Sequence, residues 1–194
     1  MWGFIASIAA GAVLFLFQRH VSKRPIGGQA DPIPPDGPPP PGTLVYPQPA
    51  SVSPDEVFLA IQAVRPMSNA EAAALIGTFL LSSHNGDEVV SHNPVGIEAS
   101  KDWTGPYTMV RRPVSIDGQP KHQWRPIRSY PTLKLGVQDW MSIIPSSSMS
   151  YAMAGDIDGY ASDLHRNGVI GIEPSLYATY IRDALENHWP GSGV

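Results

Sequence analysis

The chain has 194 residues, 42% apolar and 15% charged, which is enough for one ordinary domain with a buried core plus accessory segments. A net charge of −4 and a pI near 5.8 lack the basic stripe that a phosphate backbone demands, so nucleic acid is set aside as a partner. There is no cysteine, which excludes disulfides, thiolate nucleophiles and zinc-thiolate sites, and the six histidines show no HExxH spacing. His84 and His92 therefore read as loop residues, and with no Gly-rich phosphate loop or calcium loop, no metal and no cofactor are expected.

The N-terminus, WGFIASIAAGAVLFLFQ over residues 2–18, is near the lower length limit for crossing a hydrocarbon core as a helix. The small residues Ala6, Ser7, Ala9, Ala10, Gly11 and Ala12 favour close helix packing in its first half. A cleaved signal peptide is the rival reading, but no positive region precedes the apolar run and no small-residue cleavage site follows it. Residues 1–24 are thus expected to be a single-pass transmembrane anchor with a basic flank. Arg19, Lys23 and Arg24 in that flank place the C-terminal bulk on the cytoplasmic side. Residues 25–50, PIGGQADPIPPDGPPPPGTLVYPQPA, carry too many prolines for a helix or a ladder and form a linker reaching up to roughly 70 Å if extended.

Residues 51–194 read as one domain. SVSPDEVFLAIQAV opens a helix with Ser53 as cap and Pro54 in its first turn, and Val57, Ile61 and Val64 share a face. Ser68 and Glu71 have capping-box spacing before AAALIGTFLL, an almost wholly apolar run toward Ser82 that predicts a central helix surrounded on all sides. Two strand-like runs flank Asp117 and Gly118, predicting a short hairpin. From Thr132 the apolar residues Leu133, Val137, Trp140, Met141 and Ile144 recur at helical spacing up to a break at Pro145. Three further helices are predicted: SMSYAMAG, a segment capped by Asp156 and stopped at Gly168, and a last one starting at Pro174. The class is mainly α (α+β).

Several short motifs, in order over about 120 residues, resemble the glucosaminidase domains of bacterial and phage peptidoglycan hydrolases. NPVGIEA at 93–99 is similar to their N-N-x-x-G-I-K-A segment, and IRSYPTLKLGVQDWMSII at 127–144 to their F-R-x-Y-x-S stretch. YAMAGDIDGYASDLHRNGVIGIEPSLYATYI at 151–181 is similar to their closing helix, turn and Pro-x-x-Tyr-Ala helix, although Val169 replaces the aromatic usually found after the glycine. The resemblance implies a lysozyme-like helical lobe and a small β lobe across a groove that holds peptidoglycan glycan strands.

Cleaving such strands requires a carboxylic acid to protonate the leaving oxygen. In the family it is the Glu of E-S-G-W-G or E-T-G-H-G at the end of the central helix; the matching stretch here is LLSSHNG, with Ser82 at the Glu position. A hydroxyl cannot serve as a general acid at neutral pH. The substitute candidates are Asp87 and Glu88 in the following loop and Glu98 on the groove wall. Sugar faces pack on exposed aromatics, so Trp103, Tyr107, Trp124, Tyr130 and Tyr177, with Asn93 as a polar contact, are the candidate binding residues, while Trp140 and Tyr160 are assigned to the core. The expected protein is a membrane-anchored, peptidoglycan-engaging module with impaired or absent hydrolysis, in a phage virion membrane with capsid or membrane proteins as partners, or in a bacterial inner membrane. The alternative is an active lytic hydrolase that uses a displaced carboxylate.

Overall fold

The computed structural model describes residues 51–100, 102–116 and 119–190, with side chains throughout these except at 111–123. The anchor expected over 2–18, its basic flank, the linker over 25–50 and the Asp117–Gly118 turn lie outside the described residues. Among the described residues no helix is long and apolar enough to cross a membrane.

Helix α1 (Pro54–Val64) starts as its sequence dictates: the Ser53 side chain accepts from the Glu56 N–H, and the Glu56 carboxylate accepts from the Ser53 N–H at 2.8 Å. Helix α2 (Asn69–Ser82) repeats the device with Ser68 and Glu71. Every residue of α2 from Ala72 to Ser82 is buried, which makes it the spine that its unbroken apolar run predicts. After the hairpin come α3 (Leu133–Ile143), capped by Thr132, α4 (Ser146–Met153), α5 (Ile157–Arg166), capped by Asp156, and α6 (Pro174–His188). Glu173 caps α6 by accepting from the Leu176 N–H at 3.1 Å.

Helices α1, α4, α5 and α6 all contact α2, and α3 packs on α1. The approach of α6 is close because Gly77 has no side chain: a Cβ there would lie 2.5 Å from Ile181 Cγ2. On the same spine the Thr78 hydroxyl donates to the Ala74 carbonyl at 2.9 Å. Tyr160 and Tyr177 bring their hydroxyls to it from α5 and α6, at 3.3 and 3.2 Å, which satisfies three buried polar groups at once. The C-terminal end is tied back to the start, since Trp189 Nε1 donates to Asp55 Oδ1 at 2.9 Å and its ring packs on Phe58.

The β excursion is an antiparallel pair, β1 (Tyr107–Ile116) and β2 (Gln119–Arg128), with Tyr107 opposite Arg128 and Ile116 opposite Gln119. At ten residues each, the strands are longer than a short hairpin. Pro113, Pro120 and Pro126 fit inside it because they sit at alternate register positions, opposite His122, Ser115 and Met109, where the missing N–H faces away from the partner strand. Its base is sewn to the 97–99 segment by Arg128 N–H to the Ile97 carbonyl at 2.9 Å and Ala99 N–H to the Pro126 carbonyl at 2.8 Å, and is closed by Ser129 N–H to the Pro106 carbonyl at 2.9 Å.

Candidate functional site

The end of α2 turns on Ser83. Its hydroxyl donates to the Phe79 carbonyl at 2.7 Å and accepts from the Gly86 N–H at 2.9 Å, while its carbonyl accepts from the Glu88 N–H at 2.8 Å. His84, Asn85 and Gly86 then run at φ of 48°, 60° and 98°, so three successive left-handed residues reverse the chain. The loop is clamped from outside by the domain's entry segment: Val52 N–H donates to the Gly86 carbonyl at 3.1 Å, and a Cβ on Gly86 would stand 2.0 Å from the Val52 oxygen. Ser82, the last residue of α2, is only 4% exposed.

The substitute carboxylates are placed differently. Asp87 and Glu88 are exposed, and Glu88 Oε2 lies 3.0 Å from His84 Nδ1. Glu98 is part-buried beside Ile127, with both oxygens taken by Arg125, at 2.8 Å from Nε and 2.9 Å from Nη2. An acid kept protonated for catalysis needs an apolar, water-poor site. Two of these three stand in solvent and the third carries a guanidinium.

A second left-handed pair, Ser91 and His92 at φ of 49° and 58°, turns the chain against Tyr130. Tyr130 N–H donates to the Ser91 carbonyl at 3.0 Å, and His92 Nδ1 meets the Tyr130 carbonyl at 2.9 Å. Beneath them the Ser91, Thr108 and Ser129 hydroxyls form a buried chain with links of 3.0 and 2.8 Å. Asn93 is a structural residue rather than a free polar contact. It is 1% exposed, donates to the Ile97 and Arg128 carbonyls at 2.9 and 3.0 Å, and accepts from the Ile97 N–H at 2.9 Å.

The aromatic wall forms where these segments meet the hairpin. The Arg128 guanidinium lies 4.5 Å from the centre of the Trp103 ring, whose edge meets Tyr130 at 6.1 Å and 70°, and Trp103 Nε1 donates to the Pro106 carbonyl at 3.0 Å. Arg128 Nη1 donates to Asp139 at 2.7 Å, and the Tyr130 hydroxyl donates to the same oxygen. Burial, followed by the Asp139 carboxylate, pushes the Tyr130 phenol well above its ordinary value, so it stays a neutral donor at any working pH. Trp103, Tyr107 and Trp124 keep part of their surface open, whereas Tyr130 is 5% exposed and supports the wall from beneath.

Tyr177 does not belong to this wall. It is 1% exposed and occupied with Thr78, because its position on α6 faces the spine. Conversely, Asp139 is a residue that motif reading passed over. A carboxylate on an amphipathic helix reads as solvated, and only its distance to Arg128 and Tyr130 shows that it anchors the wall.

No protein-family model matches the chain, and no curated protein does. Solved structures do. A peptidoglycan hydrolase from Sphingomonas sp. A1 matches with a TM-score of 0.52 at 19% identity over 71% of this chain and 89% of that one. The glycoside hydrolase domain of Salmonella typhimurium FlgJ in C-terminally truncated form gives 0.51 at 18% identity, covering 68% and 91%. The catalytic domain of the Listeria monocytogenes autolysin Auto gives 0.51 at 17%, covering 70% and 81%. The chain has the fold of these peptidoglycan hydrolase domains. A mainly helical lobe with one antiparallel hairpin, expected from the ordered motifs, is thus the observed architecture.

Proposed function

We propose that this protein grips peptidoglycan glycan strands with a hydrolase-like domain whose hydrolysis is impaired or absent. One observation carries the reading: an aromatic and arginine wall stands at the hairpin base, while the end of the spine offers a serine where the resembling domains place their acid. Residues 2–18 would tether the domain to a membrane and residues 25–50 would give it reach. The basic flank favours the cytoplasmic face, which suits a phage membrane lying beneath a capsid; a protease-sensitive tag after Val194 that is cleaved in the periplasm of a bacterial host would reject that orientation and favour an ordinary inner-membrane wall protein.

The test of binding is co-sedimentation of the full chain with insoluble peptidoglycan sacculi. Wild type is expected to pellet with them, and Trp103→Ala, which removes the most built ring of the wall, to bind about tenfold more weakly. Equal pelleting of both proteins at matched folded fraction would reject the wall as the binding surface.

A further inference from the structure

Two asparagines of the chain are followed by glycine, Asn85 by Gly86 and Asn167 by Gly168. Such a pair is prone to deamidation, because glycine has no side chain to keep its nitrogen from the amide before it. The reaction makes two demands. The Asn Cγ must swing onto the glycine nitrogen, and that nitrogen must give up its proton.

The fold restrains the two pairs at different points. Asn167, at the end of α5, is exposed, but its Nδ2 donates to the Asp163 carbonyl and to Asp163 Oδ2, both at 2.9 Å, so its side chain is held. Asn85 is exposed in the reversal loop after α2, and among the described residues no hydrogen bond holds its side-chain amide. Here the restraint falls on the attacking nitrogen. Gly86 is buried, its N–H donates to the Ser83 hydroxyl at 2.9 Å and to the Ser83 carbonyl at 3.1 Å, and its own carbonyl accepts from the Val52 N–H at 3.1 Å. A local opening of this loop frees the nitrogen beside a side chain that is already free.

We propose that Asn85 is a deamidation site whose rate is set by the Ser83 and Val52 contacts on Gly86. The Gly86 nitrogen, having lost its proton to base, attacks Asn85 Cγ and expels ammonia, which leaves a cyclic imide. Water then opens the ring at either carbonyl, so the net change is amide plus water to carboxylate plus ammonium, with aspartate or isoaspartate at 85. Isoaspartate adds a methylene to the main chain between the two residues, so Gly86 loses its register with Ser83 and Val52. The new charge also stands next to the exposed Asp87 and Glu88. Modification thus unlatches the loop that closes the spine, and refolding does not restore it.

The experiment incubates the full chain in detergent and mildly alkaline buffer, then follows the Asn85 and Asn167 peptides by mass, separating the aspartate and isoaspartate products by chromatography. Under native conditions Asn85 is expected to convert about tenfold faster than Asn167, whose two side-chain bonds must break first. Ser83→Ala, which removes the hydroxyl acceptor from the Gly86 N–H, is expected to raise the Asn85 rate about fivefold and to leave Asn167 unchanged. In denaturant the two pairs are expected to convert alike, which assigns the native difference to the fold. Native conversion of Asn167 as fast as Asn85, or a folded Ser83→Ala protein with an unchanged Asn85 rate, overturns the proposal. A variant that fails to fold reveals itself by a raised Asn167 rate, and the order of the two sites in wild type then decides.

Discussion

Replacing Gly136 by alanine is expected to destabilise the domain by about 3 kcal/mol and to loosen the candidate site with it. A Cβ there would stand 2.0 Å from the His92 carbonyl oxygen and 3.1 Å from Tyr130 Cδ2. The first obstacle is backbone, so no side-chain rotation relieves it. Nor can the backbone drift freely, because His92 is already left-handed and its ring and the neighbouring Ser91 carbonyl both hold Tyr130. The clash must open the seam between α3 and the 91–93 loop, where Asn93 fastens the hairpin base. Thermal unfolding should show a drop of roughly 9 °C, and the surviving folded fraction should bind sacculi more weakly than wild type. A Gly136→Ala protein with unchanged melting temperature would show that the close approach is not a constraint. Gly86 makes the same kind of contact with the Val52 carbonyl oxygen, also at 2.0 Å, and these are the two tightest backbone approaches among the described glycines.

Asp163→Asn is expected to cost about 2–3 kcal/mol at neutral pH. The carboxylate is 2% exposed and accepts from the Ser147 and Ser148 hydroxyls at 2.6 and 2.7 Å, from Asn167 Nδ2 at 2.9 Å and from Arg166 at 3.0 Å, so it binds the start of α4 to the end of α5. Those two hydroxyl bonds, ahead of the Arg166 charge, hold the Asp163 carboxyl below its ordinary value of 3.8. A depressed acid contributes stability that is fully present above its unfolded value and is lost as pH falls through the folded one. The difference between wild type and Asp163→Asn should therefore be constant from neutral pH down to about 4 and shrink below it. Denaturant midpoints measured across that range check the prediction, and a difference that persists undiminished at the acid end would mean that packing, not charge, makes the contribution.

Much of the fold was legible because its signals are local. Ser53, Ser68 and Asp156 lie at the start of helices and cap them, Pro174 opens α6, and the apolar run after Glu71 is buried on every side. The site was less legible because its residues are defined by partners far along the chain. Tyr177 in a Pro-x-x-Tyr-Ala helix has the composition of a groove aromatic, and only Thr78, ninety-nine residues away, turns it into a core residue. Asn93 reads as a free amide until the Ile97 and Arg128 carbonyls are found on it, and Glu98 as a groove acid until Arg125 closes over it. Asp139 is the reverse case, one more polar residue in a helical pattern whose meaning comes from Arg128 and Tyr130 on the preceding segment. Caps and periodicity are carried by neighbours in sequence, whereas hydrogen-bond partners across the fold are not.

The most direct measurement is digestion of purified sacculi by the full chain, wild type and Ser82→Glu side by side, with released fragments identified by mass. The account predicts that wild type pellets with the sacculi and releases nothing, and that Ser82→Glu, by restoring a carboxyl at the end of the spine, releases sugar fragments at least a hundredfold above the wild-type background, on the order of what a general acid supplies. Release of fragments by wild type itself would contradict it, and would send the search for the acid to Asp87, Glu88 and Glu98.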